Sequence, residues 1–237
     1  MQKNDVIVLD LILKDNNTKE VLDTTFEKIA KENNLNPKAI YKPLVKIFGT
    51  GDLLPSIEEN IKNLKEGDTK TFSLTKDNAF GDRDPQNTRI LPISEFKKEN
   101  ITPEVGMQIN LGDQSGKIIS ISGGRVKIDL NPPFAGRDLE YTVTINKIYT
   151  QDKDKIQCFL DTYFSSLPKD TITFNLKDKE LEIMCTNDLF SRLSDFKHFF
   201  SHLVFDVTNV DTIEYSEIYK KSEHNHSLGE ENYDWRS

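Results

Sequence analysis

Four histidines and two cysteines are the side chains of this chain best suited to hold a metal. His198 and His202 stand four apart, the spacing at which two imidazoles on one helix face can share a metal ion. No adjacent carboxylate or third ligand accompanies them, so surface or core histidines are the reading, and neither a metal nor a cofactor is assigned. His224-Asn225-His226 adds a second pair in a polar tail, too few residues for a metal-binding tract. Cys158 and Cys185 sit in amphipathic patterns and form no CxxC pair, which predicts buried reduced thiols. Asp23, just before Thr24-Thr25, reads by itself as a helix cap.

The elements that would position any site centre on Phe48 to Pro85. An apolar strand reaches Phe48, a turn follows on Gly49 and Gly51, and Pro55 sets a helix start with Ser56 and Glu59 at capping-box spacing. Ile57, Ile61 and Leu64 recur at steps of four and three, which puts them on one face, and Gly67 closes the helix. Thr69, Thr71 and Ser73 then alternate with Lys70, Phe72 and Leu74 as a strand. The order predicts a small sheet curled around a helix. Upstream, Val6 to Leu13 predicts a buried strand, and Thr24 with Glu27 predicts a capped helix running to about Asn33.

Beyond Asp84 the pattern changes. Lys117 to Ile121 and Arg125 to Leu130 alternate around Ser122-Gly123-Gly124 as a hairpin, and the segment reads as a small all-β module on two linkers that permit hinged motion. Asn131-Pro132-Pro133 returns the chain to a strand in which Leu139, Tyr141, Val143 and Ile145 alternate with polar residues. After Thr150, helical spacing from Ile156 to Leu167, a hairpin around Lys177 to Glu180, a helix carrying Leu189, Leu193, Phe196, Phe200 and Leu203, and a strand at Ile213 and Tyr215 predict an αββαβ unit. Its phenylalanines exceed what one small sheet needs, which points to a protein contact surface, a homodimer interface being one form of it.

The joint pattern resembles the FKBP-type peptidyl-prolyl cis-trans isomerases. It is carried by Leu53-Leu54-Pro55-Ser56-Ile57-Glu58, Gly67 and Ala79-Phe80-Gly81. The continuation Asp82-Arg83-Asp84-Pro85, Ile90 to Phe96, Gly106-Met107, Ser122 to Val126 and Asn131 to Gly136 is similar to the SlyD-like and archaeal long-type branch, which carries an insert-in-flap domain. The resemblance implies an α+β fold: an FKBP-like antiparallel sheet wrapped on a short helix at residues 1–83 plus 135–150, and an inserted β domain at 84–134. An αββαβ domain at 151–220 and a disordered tail at 221–237 complete the expected organisation.

By the same resemblance, Asp23, Leu54, Ile57, Phe80 and Tyr141 would form the catalytic slot, with Leu9, Leu22, Leu44 and Leu53 as further wall residues. Ile90, Leu91, Ile93, Phe96, Met107 and Phe134 would contact unfolded chains in the inserted domain. The implied function is prolyl isomerisation with chaperone activity; the alternative is a non-catalytic holdase, because Leu9, Leu22 and Leu44 stand at aromatic positions of the family. Taken outside the motif, Leu9, Leu22, Leu44 and Ile57 read first as barrel core, and only their joint placement with the motif makes them slot residues.

Composition narrows the partners. A net charge of −8 argues against nucleic acid or anionic lipid, and no apolar run approaches a membrane span. The expected partners are unfolded or proline-containing polypeptides, and the expected location is the cytoplasm.

Overall fold

The computed structural model describes residues 1–112, 114–168, 171–186 and 194–219. Leu189, Leu193 and the tail histidines therefore lie outside the described residues. The fold is mixed α and β, with mostly antiparallel sheets and few helices.

Strand β1 (Val6–Asp15) pairs with β2 (Val21–Thr24) and β3 (Leu44–Ile47). With β4 (Thr69–Leu74) and β9 (Leu139–Tyr149) these make a five-stranded sheet of order β2-β1-β9-β4, in which β3 joins β1. The chain divides into two compact units, Met1–Val8 with Val45–Leu53 and Lys147–Ser237, and Leu9–Leu44 with Leu54–Asn146. The division passes through β1 and β9, so it differs from the expected boundary near residue 150.

Packing in the first unit supplies the reason. Helix α4 (Asp152–Tyr163), hairpin strands β10 (Ile172–Lys177) and β11 (Glu180–Thr186), helix α5 (Ser194–Val207) and strand β12 (Thr212–Ile218) follow in that order. β10 pairs antiparallel and β12 parallel with β11. Their core of Ile156, Phe159, Leu181, Ile183 and Phe200 also takes in Val6 and Ile47, so the start of the chain completes it. Both cysteines are buried there as free thiols. Phe159 and Phe200 are buried, and Phe164, Phe174 and Phe196 pack against the same core. Much of the phenylalanine content thus goes into the unit's own interior.

In the second unit, helix α1 (Glu27–Glu32) follows β2, and helix α2 (Pro55–Ile61) starts at Pro55 as its fixed φ favours. Neither expected cap forms. Thr24 instead accepts the Phe26 amide through Oγ1 at 3.2 Å, and Ser56 Oγ donates to the Asn78 carbonyl at 2.5 Å. Helix α2 ends at Ile61, while Gly67, at φ +85°, sits in the following turn and donates to the Ile145 carbonyl at 2.7 Å. On β9, Leu139, Tyr141, Val143 and Ile145 are buried as the alternation predicts.

The inserted segment forms a sheet of β5 (Thr88–Pro92), β8 (Arg125–Asp129), β7 (Gln114–Ser122) and β6 (Gln108–Leu111), in that order. Its hairpin turns on Gly123 and Gly124, both at positive φ, which suits the right-handed twist of the paired strands. It is not all-β: helix α3 (Ile93–Lys98) follows Pro92 and drives Phe96 into a core with Ile118, Val126 and Ile128. Gly116 is required by close approach, since a Cβ there would stand 2.6 Å from Ile128 Cγ2.

Candidate functional site

Asp23 lies on β2 with its carboxylate exposed, and Oδ1 accepts the Thr24 amide at 2.8 Å. It is held from behind by Thr24 and Thr25. Thr24 Oγ1 donates to the Leu11 carbonyl at 3.0 Å, and Thr25 Oγ1 donates to Asp10 Oδ1 at 2.5 Å. Asn146 Nδ2 completes the Asp10 carboxylate at 2.7 Å, so a polar knot joins β1, β9 and the end of β2. No local spacing pointed to that knot, because its members are far apart in the chain.

Tyr141 on β9 stands opposite Phe72 on β4, and the two rings stack with centroids 5.8 Å apart. Such a pair contributes about 0.5–1.5 kcal/mol beyond its buried area. Tyr141 is only 4% exposed, and burial first, then the Asp23 charge, pushes its phenol up to about 12. The hydroxyl has no hydrogen-bond partner among the described residues, and none of their buried side-chain polar atoms lacks one. The phenol oxygen therefore reaches solvent and remains a protonated donor at neutral pH.

On the other wall, Leu54 is the N-cap residue of α2, and its carbonyl accepts the amides of Ile57 and Glu58. The Leu54 amide itself donates to no acceptor among the described residues. Ile57 is buried on the inner face of α2. The Ser56 to Asn78 bond ties this helix start to the short turn Lys76–Asn78 that leads into Phe80. Phe80 is half-buried and meets Phe134 edge to face at 5.6 Å.

The sequence-predicted residues thus fall into distinct groups. Leu54, Ile57 and Phe80 are linked through Ser56, while Asp23 acts on Tyr141. Leu22, Leu44 and Leu53 are half-buried, but Leu9 is 1% exposed and has almost no surface to offer a ligand.

Among the client-contact candidates, Phe96 is 5% exposed and packs in the module's own core, and it also lines the groove beside Leu91 and Met107. Phe134 is placed at the module's root against Phe80 and not on its far surface. Ile90 is 57% exposed, and Leu91, Ile93 and Met107 pack partly on the core. Leu91, Ile101, Met107, Ile109 and Leu111 line a groove of about 940 Å³.

At the module's root, Arg83 pairs with Asp129, a side chain with 7% exposure. Burial by itself would raise the Asp129 carboxyl, but hydrogen bonds from Asn131 and the Arg83 charge outweigh it and hold it below the usual carboxylate value. Among the described residues no three His, Cys, Asp or Glu side chains are grouped to hold a metal. His198 and His202 are exposed on α5, ring to ring at 4.5 Å. None of the described helices is long and apolar enough to cross a membrane.

Comparison with known proteins bears on these groups. Residues 89–134 match the family model described as FKBP26, IF domain. A short-type peptidyl-prolyl cis-trans isomerase of Methanocaldococcus jannaschii is 28% identical over 65% of this chain and 98% of its own. A probable FKBP-type 16 kDa peptidyl-prolyl cis-trans isomerase of Pseudomonas fluorescens is 31% identical over 53% of this chain and 77% of its own. The FKBP-type isomerase SlyD of Vibrio cholerae is 25% identical over 48% of this chain and 58% of its own. With an insert-in-flap match inside a chain that parallels an FKBP-type isomerase over most of that protein's length, this chain belongs to the FKBP-type peptidyl-prolyl cis-trans isomerase family.

Proposed function

We propose that this chain catalyses cis-trans isomerisation of Xaa-Pro bonds in unfolded polypeptides and captures those polypeptides through its inserted module. Rotation about the amide meets a barrier of about 18–20 kcal/mol because resonance holds it planar, while the isomers differ by only about 0.5–1 kcal/mol. The catalyst therefore needs no nucleophile, only a surface that prefers the twisted amide, and each ~1.4 kcal/mol of preference gives a tenfold rate.

The observation that carries the reading is the Tyr141 phenol, stacked on Phe72 on an apolar strand face, with a hydroxyl that has no hydrogen-bond partner among the described residues. Phe80, Leu54 and Ile57 would grip the proline ring, and Tyr141 would donate to a substrate carbonyl. Asp23 would orient that phenol, and Leu22 and Leu44 would exclude water. Half-buried Met107, Leu91 and Ile109 along the module's groove suit extended, variable segments, since methionine adapts its shape at low cost.

Proline-limited refolding of a test protein checks both parts. Acceleration of the slow phase together with suppressed aggregation is expected. An unchanged slow phase with preserved suppression would leave only the holdase.

The C-terminal αββαβ segment is proposed as a domain for self-association. Tyr163 and Phe199, 44% and 47% exposed, meet edge to face at 5.4 Å and would form part of a homodimer contact. Sedimentation at rising concentration should give twice the chain mass, and a monomer throughout would remove this part. A cytoplasmic setting suits both the buried free thiols and the proposed clients.

A further inference from the structure

The inserted module leaves the body of its unit at Arg83-Asp84 and returns through Asp129 to Asn131. Hinged linkers are the expectation for such an insertion, yet here the outgoing and returning chains are bonded to each other. Asp84 N–H donates to Asn131 Oδ1 at 2.9 Å, and Asn131 Nδ2 returns the bond to the Asp84 carbonyl at 2.8 Å. Arg83 pairs with the buried Asp129, whose Oδ1 also accepts the Asn131 amide at 3.0 Å. Leu130 N–H donates to the Asn87 carbonyl at 3.0 Å, and Gly136 N–H to the Gly81 carbonyl at 2.7 Å. Directly beyond these bonds lies the Phe80 to Phe134 contact.

Resting on the isomerase reading above, we infer that Arg83, Asp129 and Asn131 form a latch across the root of the module, and that it sets the position of Phe80 through Phe134. The three are positioning residues: none needs to touch substrate. With the latch closed, Phe134 stands against Phe80 and one wall of the proline slot is fixed before substrate arrives. With it open, the two linkers separate, Phe134 withdraws and Phe80 samples positions that do not grip. Only the competent fraction binds, so an open latch raises the apparent KM while leaving the rate of the bound complex unchanged.

The test uses the full chain. Arg83→Met keeps the stem of a half-exposed side chain and removes its charge, and Arg83→Lys restores the charge. For a short proline-containing peptide, Arg83→Met should raise KM about fivefold at unchanged kcat, and Arg83→Lys should recover most of the loss. Phe134→Ala should give the same KM change, and combining it with Arg83→Met should add little, since both act on one contact.

Amide exchange supplies a readout that does not depend on catalysis. In Arg83→Met the amides of Asp84, Leu130 and Gly136 should exchange at least about tenfold faster, while Ile118 in the module core keeps its protection. If the wild type isomerises nothing, the function proposed above fails and the exchange pattern alone decides the latch. Unchanged exchange at those three amides overturns the latch. So does equal acceleration throughout the module, which would mean a general loss of stability, and so does a fall in kcat at constant KM.

Discussion

Excising the module, by replacing residues 84–131 with a two-residue turn, is expected to lower the acceleration of protein refolding by about a hundredfold. The rate on a short proline peptide should stay within about tenfold of the wild type. The asymmetry follows from effective concentration: a client held on a tethered surface meets the slot as an intramolecular partner, an advantage of about 10²–10⁴ that a short peptide never had. The remaining chain has reason to fold. Phe96, Ile118, Val126 and Ile128 form a core of the module's own, and the ends left behind are already joined by the Gly136 to Gly81 hydrogen bond. Light scattering of an aggregating test protein gives the second half of the result. Suppression should vanish with the module, and its persistence would show that clients are captured elsewhere.

Replacing Tyr141 by phenylalanine should cost about tenfold in kcat/KM while hardly moving the melting temperature. Such a change removes one donor, which for a hydrogen bond made in the transition state contributes about 1–1.5 kcal/mol, and leaves the stack on Phe72 in place. Full activity in Tyr141→Phe would remove the phenol from the mechanism.

The same group carries a pH signature. Its folded value, about 12, lies above the unfolded tyrosine value of about 10 because burial penalises the ionised phenol. Stability is therefore fully present below about 10 and is lost as pH rises toward 12 and the buried phenol must ionise. The rate should accordingly be flat from pH 6 to about 10, with no decline near neutrality of the kind a titrating base would impose. Asp23→Asn should lower the phenol only part of the way, because burial is the larger cause.

Much of the framework was legible in the residues themselves because it rests on local rules. Pro55 at the start of α2, the alternation of β4 and β9, and the Gly123-Gly124 turn all follow from backbone geometry and from which side chains share a face. The readings that changed were those where a side chain had a choice of partner. Ser56 has capping-box spacing with Glu59, yet its hydroxyl goes to Asn78, 22 residues away, because folding brings a free carbonyl within 2.5 Å. Phe96 reads from its motif as a surface contact, and helix α3 packs most of its ring into the module core, leaving only an edge to line the groove. Leu9 had the right place for a slot wall and is buried instead.

What the sequence determined by itself was a framework of strands around a short helix with an insertion, written in turn residues and periodicities that act over a few positions. The prolyl-isomerase reading came from the resemblance of its joint motifs to that family. Only the tertiary structure decided that Val6 and Ile47 complete the core of the C-terminal segment. It alone brought the Asp23 charge to bear on Tyr141 and joined Arg83 to Asp129 across 46 residues of chain. Period and turn chemistry are properties of neighbours along the chain, whereas burial, charge pairing and the choice of hydrogen-bond partner depend on neighbours in space.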